Sequence, residues 1–282
     1  MTLPWLDAGA LSVSAAADAL EAALRDGFDP ESDPPRVASG DFLLMPSSAG
    51  PYAGVKAISV APGNPARGLP RIQGVFVLWD AETLAPVALV DGAALTLLRT
   101  PAVSMVALRA LRARASARLV VFGGGPQAEA HTAAIEAEIE VESVDVLRSA
   151  TPPAEVQPAV RRADVICCCT SARSPLFDGT LVRDDALVIA IGSHEPGARE
   201  LDSALMSRAT VVVESRATAL REAGDVIQAI DELALAPDSL LTLAALVRGD
   251  AAPRPDRPRV FKSAGMSWED VAVAGAVRDQ TR

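Results

Sequence analysis

The sequence predicts an α/β protein built from two architectures in succession. Up to about residue 91, short apolar runs are separated by breaks rich in Gly and Pro, which is the pattern of an antiparallel sheet. From Arg118 onward, apolar runs alternate with helical segments, the pattern of a doubly wound parallel sheet. At the start of this second part, the run Arg118–Phe122 ends in Gly123-Gly124-Gly125 and turns at once into the helix-forming stretch from Pro126.

Residues 8–26 carry helical periodicity and good helix formers. Strands are expected at 41–45, 54–60, 74–80 and 85–91, between breaks such as DPESDPPRVASG and APGNPARGLP. Residues 94–113 read as a helix with Pro101 inside it, a site for a kink or a break. Strands are then expected at 118–123, 141–147, 164–170, 186–192 and 210–215, and helices at 126–139, 153–163, 200–208 and 239–249. A Pro- and Arg-rich linker (248–259) precedes a tail (260–280) that ends in another helix.

The chain of 282 residues has room for two domains. Half of it is hydrophobic but only 4% is aromatic, so the core must be made of small side chains. A net charge of −10 repels nucleic acid and anionic membranes, and neither is expected as a partner. The arginines of 109–118 are expected on a solvated helix face. No run approaches the length that spans a bilayer, and no basic region precedes an apolar segment at the N-terminus, so a cytoplasmic location is expected. The three cysteines are consecutive, Cys167 to Cys169. Neighbours on a strand point to opposite faces, so the run is read as buried thiols in a reducing compartment rather than an ordinary zinc site, and no metal is expected.

Gly123 to Ala128 fits GxGxxA. The first glycine makes a tight turn, the second admits a pyrophosphate to the backbone, and the third small residue lets helix pack on strand. The helix N-terminus then faces the phosphates. Gly123, Gly125, Pro126, Gln127 and Ala128 are therefore candidate dinucleotide-binding residues. The second strand ends at Leu147-Arg148-Ser149, with Asp145 earlier and pointing away from the ribose by alternation. An arginine there suits a 2′-phosphate, which favours NADPH, with NADH as the alternative.

Taken in order, LLMP (43–46), GVK (54–56), GNPARGLP (63–70), LTLLRT (95–100), GGGPQAEAH (123–131), IGSHEPGARELD (191–202), EAGD (222–225) and FKSAG (261–265) resemble the ornithine cyclodeaminase/mu-crystallin family. The resemblance runs over nearly the whole chain. It implies a Rossmann-like doubly wound domain (106–261) inserted into a smaller α+β substrate and dimerisation domain (1–105 plus 262–282), and a homodimer. It also implies that Arg36, Lys56 and Arg99 hold a substrate carboxylate, where a bidentate fork and a mobile point charge are physically apt. Pro126, Gln127, Thr170, Ser263 and the loop Ile191, Gly192, Ser193 and His194 match its cofactor contacts, and Thr100, directly after Arg99, is expected with it to reach the cofactor phosphates.

Where the family's cyclodeaminases carry a catalytic aspartate this chain has His194, where they carry the glutamate that receives the distal amine it has Leu43, and a cyclodeaminase lysine is replaced by Ala198. A leucine leaves an ammonium unpaired, at a cost of several kcal/mol in a closed site. The resemblance therefore points to reduction of a cyclic imino acid, Δ1-pyrroline-2-carboxylate or Δ1-piperideine-2-carboxylate, to L-proline or L-pipecolate. Lys56 or His194 would keep the imine nitrogen protonated. The alternatives are an alanine dehydrogenase, an ornithine cyclodeaminase, and a non-catalytic NADPH- or small-ligand-binding protein.

Overall fold

The computed structural model describes residues 2–61, 63–112 and 115–281. The chain divides into two compact units, 1–103 with 266–282, and 104–265. Among the described residues the strands form two sheets, one in each unit.

In the first unit the strands are β1 (Trp5–Leu6), β2 (Val37–Ser39), β3 (Phe42–Ala49), β4 (Tyr52–Val60), β5 (Ile72–Asp80) and β6 (Pro86–Asp91). They lie in the order β1-β6-β5-β4-β3-β2. The β2 to β6 pairs are antiparallel meander neighbours, β2 to β3 and β3 to β4 joined by tight turns and β4 to β5 by a longer loop, and β1 adds in parallel to β6. Burial alternates along β4, with Tyr52, Gly54 and Lys56 facing inward. Against that face lies the helix Ser267–Gln280 (α9), which also packs on α1 (Val13–Arg25). Ser12 caps α1, accepting from the Ala15 amide. Helix α2 (Gly92–Leu111) passes through Pro101 without a break. It is long and apolar enough to cross a membrane by length and composition, which corrects the expectation that no run reaches that length. With 72% of its apolar window buried, it is a core helix here.

The second unit holds β7 (Ser116–Phe122), α3 (Pro126–Glu138), β8 (Glu140–Leu147), α4 (Pro153–Arg162), β9 (Val165–Cys168), β10 (Leu187–Ala190), α5 (Ser203–Arg208), β11 (Thr210–Val213), α6 (Arg216–Glu222), α7 (Gly224–Asp231), β12 (Leu241–Thr242), α8 (Leu243–Arg248) and β13 (Arg259–Lys262). All strand pairs are parallel, in the order β12-β11-β13-β10-β9-β7-β8. The near-continuous burial of β9, β10, β11 and β13 is that of strands covered on both faces.

Three expectations change. The tail ends in a helix as expected, but Arg259–Lys262 is an inner strand between β10 and β11, so residues 262–265 go with the parallel sheet rather than with the first unit. The arginine-rich stretch is not one helix face. Arg109 ends α2 paired with Glu138 at 2.7 Å, while Arg118 lies in β7 paired with Asp164 at 2.8 Å; Ala113 and Arg114 lie outside the described residues. The helix expected over 239–249 spans Leu243–Arg248, because Leu241–Thr242 pairs with β11 first.

Candidate active site

In the second unit the strand order reverses between β7 and β9, and loops leaving the carboxyl ends of β7, β8 and β9 open a cleft of about 940 Å³. A crevice at such a reversal is where doubly wound sheets take ligands. Gly123, Gly125, Pro126, Gln127, Arg148 and Thr170 line it. Gly123 has φ +131°, and a Cβ there would lie 2.7 Å from the Cys169 carbonyl oxygen and 3.4 Å from the Ala128 Cβ. Ala128 itself is buried, so its smallness serves the packing of α3 on the sheet. A Cβ on Gly124 would lie 2.6 Å from Nε of Arg148, so the arginine is laid across the turn. Pro126 opens α3 with no side chain capping it. The missing side chains and the uncapped helix start fit a bound dinucleotide's phosphates. Asp145 is paired with Arg162 at 2.7 Å.

Two buried acids hold the neighbouring loops. Glu200 accepts from the Thr170 amide (2.8 Å) and hydroxyl (2.7 Å) with one oxygen and from the Gly192 amide (2.7 Å) with the other. Burial pushes its carboxyl up to about 7, against the lowering effect of Lys262. Asp225 accepts from Ser193 Oγ and from the amides of Glu200 and Leu201. Ser193 is thus fully buried and holds the loop rather than offering its hydroxyl to a ligand. Ser263 likewise donates to Glu214 at 2.7 Å and is buried. Ile191 and Gly192 are half-buried at the end of β10, and His194 stands exposed, its Nδ1 3.1 Å from the Gly192 carbonyl.

In the first unit, Lys56 projects from the inner face of β4, with Nζ 2.8 Å from Oδ2 of Asp270, 2.9 Å from its Oδ1 and 3.2 Å from Oγ1 of Thr96. Arg99, from α2, reaches Glu269 at 2.9 Å and Asp270 at 3.5 Å. All four charged groups are buried, two cations against two anions. Burial lowers Lys56 to about 8, with Asp270 working the other way and Arg99 adding to the fall. The next residue, Thr100, is buried and donates to the Thr96 carbonyl. Arg36 is half-buried in the loop entering β2, two strands across from Lys56. The structure therefore brings Lys56 and Arg99 together on one shared acid, Asp270. Leu43 is half-buried on β3, opposite Ile58, and Ala198 is buried in the second unit.

Sequence reasoning missed Glu269 and Asp270. They stand in the first turn of α9, four and five residues after the FKSAG segment, and two acids opening an otherwise buried helix were the available signal. Glu200 and Asp225 lay in quoted motifs but had no role assigned.

The profile of the Ornithine cyclodeaminase/mu-crystallin family matches residues 8–154 and 148–282. A Δ1-pyrroline-2-carboxylate reductase of Bacillus cereus is 35% identical over 82% of this chain and 79% of its own length. An alanine dehydrogenase of Archaeoglobus fulgidus is 30% identical over 95% of this chain and 90% of its own. The solved structure of a Thermococcus litoralis Δ1-pyrroline-2-carboxylate reductase with NADH and L-proline superposes with a TM-score of 0.87 at 25% identity, covering 99% of this chain and 97% of that one.

Proposed function

The chain belongs to the ornithine cyclodeaminase/mu-crystallin family and is an NAD(P)H-dependent oxidoreductase; we propose that its reaction is the reduction of a cyclic imino acid, Δ1-pyrroline-2-carboxylate or Δ1-piperideine-2-carboxylate, to L-proline or L-pipecolate. The observation that carries this reading is the buried Lys56–Asp270 pair, with Lys56 brought down to about 8. A ketimine accepts hydride at carbon when its nitrogen is protonated, and an acid titrating near 8 holds that proton at neutral pH. Reduced nicotinamide, when bound, supplies the hydride. Lys56 Nζ, oriented by Asp270 and Thr96, supplies or retains the nitrogen proton. Arg99, oriented by Glu269, takes the substrate carboxylate, and Arg36 adds to the clamp. The C=N electron pair moves to nitrogen as the C–H bond forms, and the products are the saturated amine and oxidised nicotinamide.

The second unit's part is to hold the dinucleotide over Gly123, Gly125, Pro126 and Gln127. The Thr170 and Ile191–Ser193 loops are fixed for it by Glu200 and Asp225, and Ser263 by Glu214. The position of Arg148 over the turn supports NADPH as the preferred form, with NADH accepted. His194, exposed on its loop, is a second proton donor in this reading. Homodimer formation is supported by the apolar side chains Val37, Phe42 and Ile72, which are 51%, 57% and 45% exposed on strands of the first sheet.

The test is to mix purified protein, NADPH and Δ1-pyrroline-2-carboxylate and follow the nicotinamide absorbance, with Lys56→Ala as the control. Oxidation that disappears in Lys56→Ala while dinucleotide binding persists supports the reading. Absence of oxidation by protein that binds NADPH or NADH overturns it. Turnover with pyruvate and ammonia instead would assign the activity of the alanine dehydrogenase relative.

A further inference from the structure

Alternation along a strand separates Cys167 from Cys168, but it also places Cys167 and Cys169 on one face. Their sulfurs are 3.5 Å apart. Helix α3 brings His131 to the same face, and one ligand atom from each of His131, Cys167 and Cys169 lies within 4.8 Å of the others. His131 and Cys167 are fully buried, whereas Cys169 is half-buried and lines the dinucleotide cleft.

The hydrogen bonds of the histidine fix its tautomer. Its Nδ1 lies 2.8 Å from the Gln127 carbonyl oxygen, which can only accept, so Nδ1 carries the proton and Nε2 keeps its lone pair. In the metal-free protein that lone pair accepts from the Ser104 hydroxyl at 3.0 Å.

We propose that His131, Cys167 and Cys169 form a binding site for a thiophilic divalent cation of the zinc class, directly beneath the dinucleotide-binding turn. Two thiolates and one neutral imidazole, with a fourth position for water, match the donor set of an open zinc site. Cys169 gives the ion a path from the cleft. The Cys169 carbonyl is the atom that a Cβ on Gly123 would strike, so the occupied site would adjoin the first glycine of the turn. Cys168 points to the other face of β9, into the hydrophobic core beside Val188 and Ala190, and takes no part.

The experiment is a titration of the reduced full-length protein with cadmium, following the ultraviolet thiolate-to-cadmium charge-transfer band, with zinc as competitor. One equivalent should bind, zinc should displace it, and Cys168→Ala should leave the band intact. Cys167→Ala and Cys169→Ala should each weaken binding at least tenfold, and His131→Gln should weaken it as well. Dinucleotide binding and circular dichroism verify the fold of each variant. No band in the unaltered protein would overturn the proposal, and that measurement depends on no variant. Equal loss in Cys168→Ala, or a band that survives both Cys167→Ala and Cys169→Ala, would overturn it too. Imine turnover is not read at any point, so failure here leaves the proposed reaction standing, and the converse holds.

Discussion

Nζ of Lys56 lies 2.8 Å from Oδ2 of Asp270, and the two side chains are 1% and 0% exposed. A strand residue and a helix residue 214 positions later thus share a charge pair with no solvent to relieve either. A buried pair is weak evidence for stability, but removing one partner strands the other charge. Asp270→Ala should therefore cost about 3–5 kcal/mol in unfolding free energy. The double variant Lys56→Met/Asp270→Leu should recover most of that loss and remain without activity. Denaturant titrations beside turnover assays test both. A double variant as active as the unaltered protein would remove Lys56 from the chemistry.

The same pair sets a pH limb. Lys56 must be protonated to serve as the acid, and burial has lowered it to about 8. The value of kcat/KM should hold below that pH and fall about tenfold per unit above it. Asp270 raises the Lys56 value, so Asp270→Asn should move the limb to lower pH. For stability, the folded state holds fewer protons than the unfolded one between pH 8 and 10.5, so the cost of burying the charge is fully present below 8 and is relieved as pH climbs towards 10.5. A pH–rate profile with saturating dinucleotide measures the catalytic limb.

Arg148 should decide between cofactors. A charge-assisted bond to a 2′-phosphate contributes about 1.5–3 kcal/mol, or roughly 10–100-fold. Arg148→Ala should lower kcat/KM for NADPH by that factor and change NADH little. Parallel steady-state assays with the two cofactors read this, and equal losses would assign the arginine to the shape of the turn instead.

Asp33 ties the loop before β2 to the start of α9. It accepts from the Ser267 amide at 3.0 Å and the Trp268 amide at 3.3 Å, and from the Ser47 hydroxyl. Burial raises its carboxyl to about 6, with a contribution from Asp270, and the three donors oppose the rise. Between pH 4 and 6 the folded state therefore holds more protons than the unfolded one, so this contribution is full at low pH and is lost as pH rises through 6. Asp33→Asn should remove that part of the slope. Urea midpoints across this range for both proteins check it.

The long helices and the parallel strands from β7 to β11 were legible because apolar period and turn residues agree at each of them. The strand Arg259–Lys262 was not, since four residues beside a Pro- and Arg-rich stretch carry no period. Its strand character comes from two neighbours far away in sequence. The glycine turn could be read because Gly123 and Gly124 answer local steric demands, while Gly125 leaves open space beside the helix start. Lys56 stood out as one of two lysines, and the other, Lys262, is buried with its Nζ donating to the Ala190 and Ser263 carbonyls. The partners of Lys56 could not be read, because only the folded sheet brings Glu269 and Asp270 to it. The Cys167–Cys169 pairing was implicit in strand alternation, but the histidine that completes the cluster comes from another element.

The inner strand β13 and the helix α9 follow one another directly in the chain, and each completes a different unit. A ribosome delivers this stretch after β10, β11, Lys56 and Arg99. Until it emerges, β10 and β11 lack the strand that joins them, and Lys56 and Arg99 have no acids to meet. Neither unit can finish folding before β13 and α9 have been made, so the nascent chain must keep two open apolar surfaces apart until then. Chaperone demand during synthesis, rather than stability after it, is the burden this topology carries.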